Sequence, residues 1–208
     1  HKVFTNDVAA WEALRDAWAL DPRPSELPAV EPAAEETERA DAEIDVAALH
    51  QRWDALQDTH DFFGLLRELG TTRTQALRLA GPERAAPVAP AALETALRGA
   101  AEDGEKVMIF VGNHGLVQIF IGEIQRVVPT EGWLNILDPG FDLHVRDGSI
   151  SRAWVVTKPT RHGPVRSLEC YGAEGETVLQ LFGKRTEEES TPAGMGAILD
   201  RVLAAHAL

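Results

Sequence analysis

Between Glu105 and Gly183 the chain breaks into short segments of strand character, several of them bounded by Gly, Asp or Pro. They fall at residues 106–111, 115–121, 123–128, 133–137, 141–146, 149–157, 165–171 and 177–182. Short strands at this spacing imply a meandering antiparallel sheet. Gly112-Asn113-His114-Gly115 between the first two reads as a hairpin turn.

The flanking sequence has helical texture. Ile44, Val46, Leu49, Trp53 and Leu56 follow helical spacing, with Asp45 as a cap. A second helix is expected over residues 59–69, stopped by Gly70. Thr72 with Gln75 fits a capping box for a third, carrying Ala76, Leu77 and Leu79. Leu93, Ala96, Leu97 and Ala100 continue the pattern after Pro90, and residues 194–208 return to it. The class is α+β: a large antiparallel β-sheet with helices packed at one side or end.

The N-terminal residues 1–20 read as a strand at residues 2–5, then an amphipathic helix with Val8, Trp11, Leu14 and Trp18. Residues 21–43 form an acidic, Pro-rich linker, with Pro22, Pro24, Pro28 and Pro32 among glutamates. The main domain is expected over residues 44–208. The formal net charge of −13 argues against a nucleic-acid binder and against adhesion to anionic membranes. No apolar run approaches the ~20 residues of a membrane span. A single cysteine excludes an internal disulfide, so a reducing cytoplasm is the expected location. The chain opens on His1 rather than Met, which suggests a truncated form of a longer protein.

The usual enzyme signatures are absent: no phosphate-binding Gly-rich loop, no His-Glu-x-x-His pair and no paired-cysteine zinc site. Cys170, in a strand, reads as a buried structural thiol. Among seven histidines His60 is unusual. Gly64 follows it by one helical turn on the same face, although Gly in a helix interior costs about 1 kcal/mol against Ala. Two readings stand. A flat macrocycle ligated by His60 lies over the bare patch beside Phe63, or His60 merely starts a helix and Gly64 lets two helices approach. Arg73, Lys158 and Arg185 form a cationic set, and Gln180 and Phe182 share one face of a strand. Cations beside an apolar wall suit an amphiphile with carboxylates; taken singly, each cation is also explained as surface charge.

Thr59-His60-Asp61-Phe62-Phe63, Gln75-Ala76-Leu77-Arg78-Leu79 and Met108-Ile109-Phe110-Val111-Gly112-Asn113 resemble the HemS/ChuX family of haem-utilisation proteins. So do Gly132-Trp133-Leu134-Asn135, Leu137-Asp138-Pro139, Ala153-Trp154-Val155 with Lys158-Pro159-Thr160, and Gln180-Leu181-Phe182-Gly183. The match runs in order along nearly the whole chain, the linker excepted. Long members of that family contain two repeats. The resemblance implies that residues 44–208 are the second repeat and residues 1–20 a remnant of the first. It implies His60 as the axial ligand to haem iron, with Asp61 or a backbone carbonyl orienting its ring. It implies Arg73, Lys158, Gln180, Phe182 and Arg185 as residues lining the pocket or holding the propionates. Phe182 stands where some relatives have Tyr, which removes a hydroxyl from the distal side. The distal Arg that longer relatives supply from the first repeat has no counterpart in this sequence.

The function implied is a cytosolic carrier in bacterial haem-iron acquisition, binding haem b non-covalently. It would receive haem from an importer and hand it to a haem oxygenase. A haem-degrading enzyme is the second reading and a non-haem interaction module the third. A lone repeat exposes an apolar sheet face, so a homodimer is expected.

Overall fold

The computed structural model describes residues 8–19, 38–113, 115–186 and 189–208. The expected strand at residues 2–5, His114 and most of the 21–43 linker lie outside the described residues. The chain divides into two compact units, residues 1–34 and 35–208. In the first, helix α1 (Val8–Trp18) leaves Trp11, Leu14 and Trp18 exposed.

The second unit begins with three short helices, α2 (Val46–Asp54), α3 (Asp61–Leu69) and α4 (Arg73–Leu79). Their boundaries follow from local chemistry. Asp45 accepts from the Ala48 N–H and starts α2. Gly70, at φ 58°, ends α3 in the left-handed conformation that a side chain would resist. Thr72 accepts the Gln75 N–H and starts α4. The Gln75 amide does not complete the expected box. It donates to the Arg39 carbonyl and to Asp41, tying residues 39–41 to α4.

After β1 (Ala85–Val88) and α5 (Ala92–Asp103), eight strands follow: β2 (Val107–Gly112), β3 (Val117–Gly122), β4 (Val127–Thr130), β5 (Trp133–Asp138), β6 (Phe141–Arg146), β7 (Arg152–Lys158), β8 (Val165–Tyr171) and β9 (Thr177–Gly183). Helix α6 (Ala193–His206) closes the chain. The α+β class with a large antiparallel sheet is as expected. The strands divide, however, into a six-stranded sheet ordered β1-β7-β8-β9-β2-β3 and a three-stranded sheet β4-β5-β6. Residues 123–126, between β3 and β4, are not strand, and the meander leaves the first sheet there.

Strand alternation gives the large sheet two distinct faces. Val155, Leu168, Cys170, Leu179, Leu181 and Ile109 point to one, where α5, α6 and the small sheet complete the main core. Phe120 of β3 stacks on Phe141 of β6 with ring centroids 3.6 Å apart, joining the two sheets. Trp154, Val156 and Tyr171 point the other way, into a second core under α2, α3 and α4. Trp53 of α2 is fully buried there and donates its indole N–H to the Thr157 carbonyl at 2.8 Å. The first two of these helices thus lie against β7 and β8. The pairing register continues that face across β9, β2 and β3 through Gln180, Phe182, Phe110, Met108, Ile119 and Ile121. Ile119 and Ile121 remain 50% and 41% exposed there.

Candidate functional site

Helix α3 presents His60 at its N-terminal end. The residue has helical φ and ψ but makes no side-chain cap. Its imidazole is held instead by Asp58, whose Oδ1 accepts the His60 backbone N–H at 2.9 Å and meets Nδ1 at 2.6 Å. A carboxylate has no proton to give, so Nδ1 donates, and the lone pair of the neutral ring sits on Nε2. Nε2 has no partner among the described residues, and the side chain is 82% exposed. These bonds, the backbone one foremost, hold the Asp58 carboxyl below its ordinary range. The expectation that Asp61 orients the ring is corrected. The Asp61 carboxylate turns back to accept the Asp58 N–H at 3.0 Å, so it is used in the turn. A Cβ placed on Gly64 would meet nothing within 4 Å. Close helix packing therefore does not account for this glycine. Phe63, beside it, is 60% exposed.

Beneath α3 lies a buried ionic cluster. Glu169 of β8 has no solvent exposure. It accepts from Arg73 Nε at 3.1 Å and Nη2 at 2.8 Å, from Lys158 Nζ at 2.7 Å, and from the Tyr171 and Ser167 hydroxyls. Tyr171 also accepts from Arg73 Nε. Both cations also lie over the Phe62 ring, Arg73 Cζ at 5.1 Å and Lys158 Nζ at 4.7 Å from its centroid. Burial penalises the Glu169 charge, but the Arg73 and Lys158 charges overcome this and hold its carboxyl far below the usual carboxylate range. Burial pulls the Lys158 ammonium down to about 8, against the opposing pull of Glu169. Two cations share one carboxylate, leaving one net positive charge in a nearly dry site.

Strand pairing sets Gln180 opposite Glu169 and Phe182 opposite Ser167, so both share the face of the ionic cluster. Phe182 packs edge-on against Phe110, with centroids 5.3 Å apart. Arg73 and Lys158 are thus held under the helix that begins at His60, and Gln180 and Phe182 lie on the same face of the sheet, on the neighbouring strand β9. Arg185 lies two residues beyond β9, half-buried, and no contact among the described residues ties it to the cluster. Lys158 is buried rather than offered at the surface.

Asp58, Glu169 and Tyr171 escaped sequence reasoning. Asp58 had a legible signal, an Asp two residues before a His at a helix start. Glu169 had a weaker one, a carboxylate inside an apolar strand, which requires a cation. Cys170 is a fully buried thiol that burial pushes up to about 12, as expected of a structural cysteine. Away from the face of His60, a cleft of about 250 Å³ lies between the start of α5 and the β5–β6 strands. Glu94, Arg146 and Asp147 supply its charge, and it holds no histidine.

Chemically, the face beside α3 offers one nitrogen donor, a bare glycine flanked by an exposed aromatic, an apolar wall and surplus positive charge. That set fits a flat, metal-bearing amphiphile with carboxylates. No cluster of His, Cys, Asp and Glu suited to a bare metal ion exists among the described residues. None of their helices is long and apolar enough to cross a membrane.

The model of the haemin-degrading HemS.ChuX domain matches residues 70–193. The hemin transport protein HmuS of Yersinia pestis is 40% identical over 192 residues, which make up 90% of this chain and 54% of HmuS. Holo-PhuS, a heme-binding protein from Pseudomonas aeruginosa, superposes with a TM-score of 0.85 and 40% identity, covering 92% of this chain and 56% of its own. ChuS, an E. coli heme oxygenase, gives 0.79 and 39%, covering 95% and 57%. The chain spans about half the length of the curated relatives it matches.

Proposed function

Because the chain belongs to the haemin-degrading HemS.ChuX domain family, we propose that it binds haem b non-covalently through His60 and acts as a cytoplasmic carrier in haem-iron acquisition. The observation that supports this reading is the His60 imidazole, turned outward with a free Nε2 at the start of a helix that overlies a buried cluster with one surplus positive charge. In this role His60 Nε2 would give its lone pair to iron, and Gly64 and Phe63 would make room for and contact the macrocycle. Arg73, Lys158 and Arg185 would attract the propionates. Gln180 and Phe182 would line the pocket, and Phe182 would bring no hydroxyl to it. Haem itself supplies a redox iron and a light-absorbing macrocycle. The carrier receives haem from an importer and passes it to a haem oxygenase. A second copy covers the apolar half of the sheet, giving a homodimer.

The test is a haemin titration of wild type against His60→Ala. Wild type develops a Soret band of a histidine-ligated species, and the variant does not. An unchanged spectrum in the variant removes His60 from the ligand role.

Likeness to a heme oxygenase favours a second reading, ring-opening of haem by this chain. With an electron donor, oxygen and catalase present, biliverdin release supports that enzyme. Decay that vanishes with catalase leaves the carrier.

A further inference from the structure

An Asp that closes a turn ahead of a helix needs one bond from its carboxylate to a backbone N–H two residues on. Asp58 makes that bond to His60, and the same oxygen also takes the ring Nδ1 at 2.6 Å. The second bond does nothing for the turn, which is already closed by the Asp58 N–H on Asp61 Oδ2 and the Asp61 N–H on the Asp58 carbonyl at 3.1 Å. Nor does it add much stability, since both side chains are substantially exposed and water competes for them. Its effect falls on the imidazole alone. The ring is fixed in one tautomer and one orientation, and its other nitrogen is made a better donor.

We propose that Asp58 is a positioning residue for His60, presenting Nε2 to iron and strengthening it as a ligand. This inference rests on the reading of His60 as the haem ligand. The rest of the turn is arranged to the same end. Asp61 is used in holding the Asp58 backbone, and so leaves the ring to one carboxylate. Among the described residues no other group accepts from Nδ1.

Two measurements test it. In the haem-free protein, ¹⁵N chemical shifts of the neutral His60 ring report the tautomer. Wild type and Asp58→Asn are expected as the Nδ1–H form, because an amide oxygen still accepts. Asp58→Ala is expected as a mixture. In the haemin complex, Asp58→Ala is expected to bind about 10- to 100-fold more weakly while keeping its histidine-ligated Soret band. The ferrous iron–imidazole stretch is expected to fall in both Asp58→Asn and Asp58→Ala, because each removes the negative charge. An unchanged tautomer in Asp58→Ala, or an unchanged stretch beside a Soret band lost in His60→Ala, overturns this inference alone. A Soret band retained in His60→Ala overturns the ligand reading and this inference with it.

Discussion

At the scale of single residues, Glu169 sets the energetics of the site. One fully buried carboxylate answers two cations, and the three do not contribute equally. Glu169→Gln leaves Arg73 and Lys158 without an anion in a dry site and is expected to cost about 3–5 kcal/mol, read from urea denaturation. Lys158→Met removes the surplus cation and leaves the two-bond Arg73–Glu169 pair intact. It is expected to stabilise the fold by about 1–3 kcal/mol at neutral pH, because the desolvation cost that is lost exceeds the lost attraction to Glu169. The same lysine gives stability a pH dependence. Burial lowers it from 10.5 to about 8, so between pH 8 and 10 the unfolded chain keeps a proton that the folded chain has released. Lys158 therefore contributes a rise in stability with pH across that window, on the order of 2–3 kcal/mol. From about pH 9 Cys170 opposes it, and above pH 10 Tyr171 does too, because burial pushes both groups upward and the folded state retains their protons longer. Urea midpoints from pH 8 to 9 should climb in wild type and lose this climb in Lys158→Met. Parallel profiles would mean that Lys158 does not titrate there.

At the scale of elements, helix α3 divides its two phenylalanines between stability and binding. Phe62 is fully buried, edge-on to Trp53 at 4.8 Å and in contact with two cations. Phe62→Ala is expected to cost about 3–5 kcal/mol. Phe63 is mostly exposed, so Phe63→Ala should stay within about 0.5 kcal/mol of wild type while weakening haemin binding. A Phe63→Ala variant with wild-type haemin affinity would place the ring plane elsewhere. Legibility in the sequence follows the range of the interactions involved. Asp45, Gly70 and Thr72 act within a few residues, so the helix boundaries could be read directly. Strand β1 could not, because Ala85-Ala86-Pro87-Val88 has no polar alternation and contains a proline. It is a strand because it lies at the sheet edge, pairing with β7, where the missing proline N–H is tolerated. The split into two sheets was equally hidden, since register is fixed by partners far along the chain. For the site, the context of His60 was legible. The anion beneath it was not, because Arg73 and Glu169 meet across 96 positions of sequence.

At the scale of the whole molecule, the large sheet is covered unequally. Helices α2, α3 and α4 bury the β1-β7-β8 half of one face. On the β9-β2-β3 half, Val117, Ile119 and Ile121 stay 55%, 50% and 41% exposed. They form a row along the edge strand, next to the half-buried Met108, Phe110 and Phe182. A contiguous apolar strip at a sheet margin favours association, and the face and the edge make separable contributions to it. Ile119 points to the uncovered face, while its neighbour Phe120 points into the main core, stacked on Phe141. Ile119→Glu therefore charges the face while leaving the backbone groups of the edge unchanged. The side chain is half exposed, so the monomer should lose no more than about 0.5 kcal/mol. Wild type is expected to sediment as a dimer and Ile119→Glu as a monomer at the same concentration. A wild type that stays monomeric at every accessible concentration rules out the homodimer. A dimer that survives Ile119→Glu means that copies join by pairing their β3 edges or through another surface, and the apolar strip is then free to meet the haem ring or a different protein.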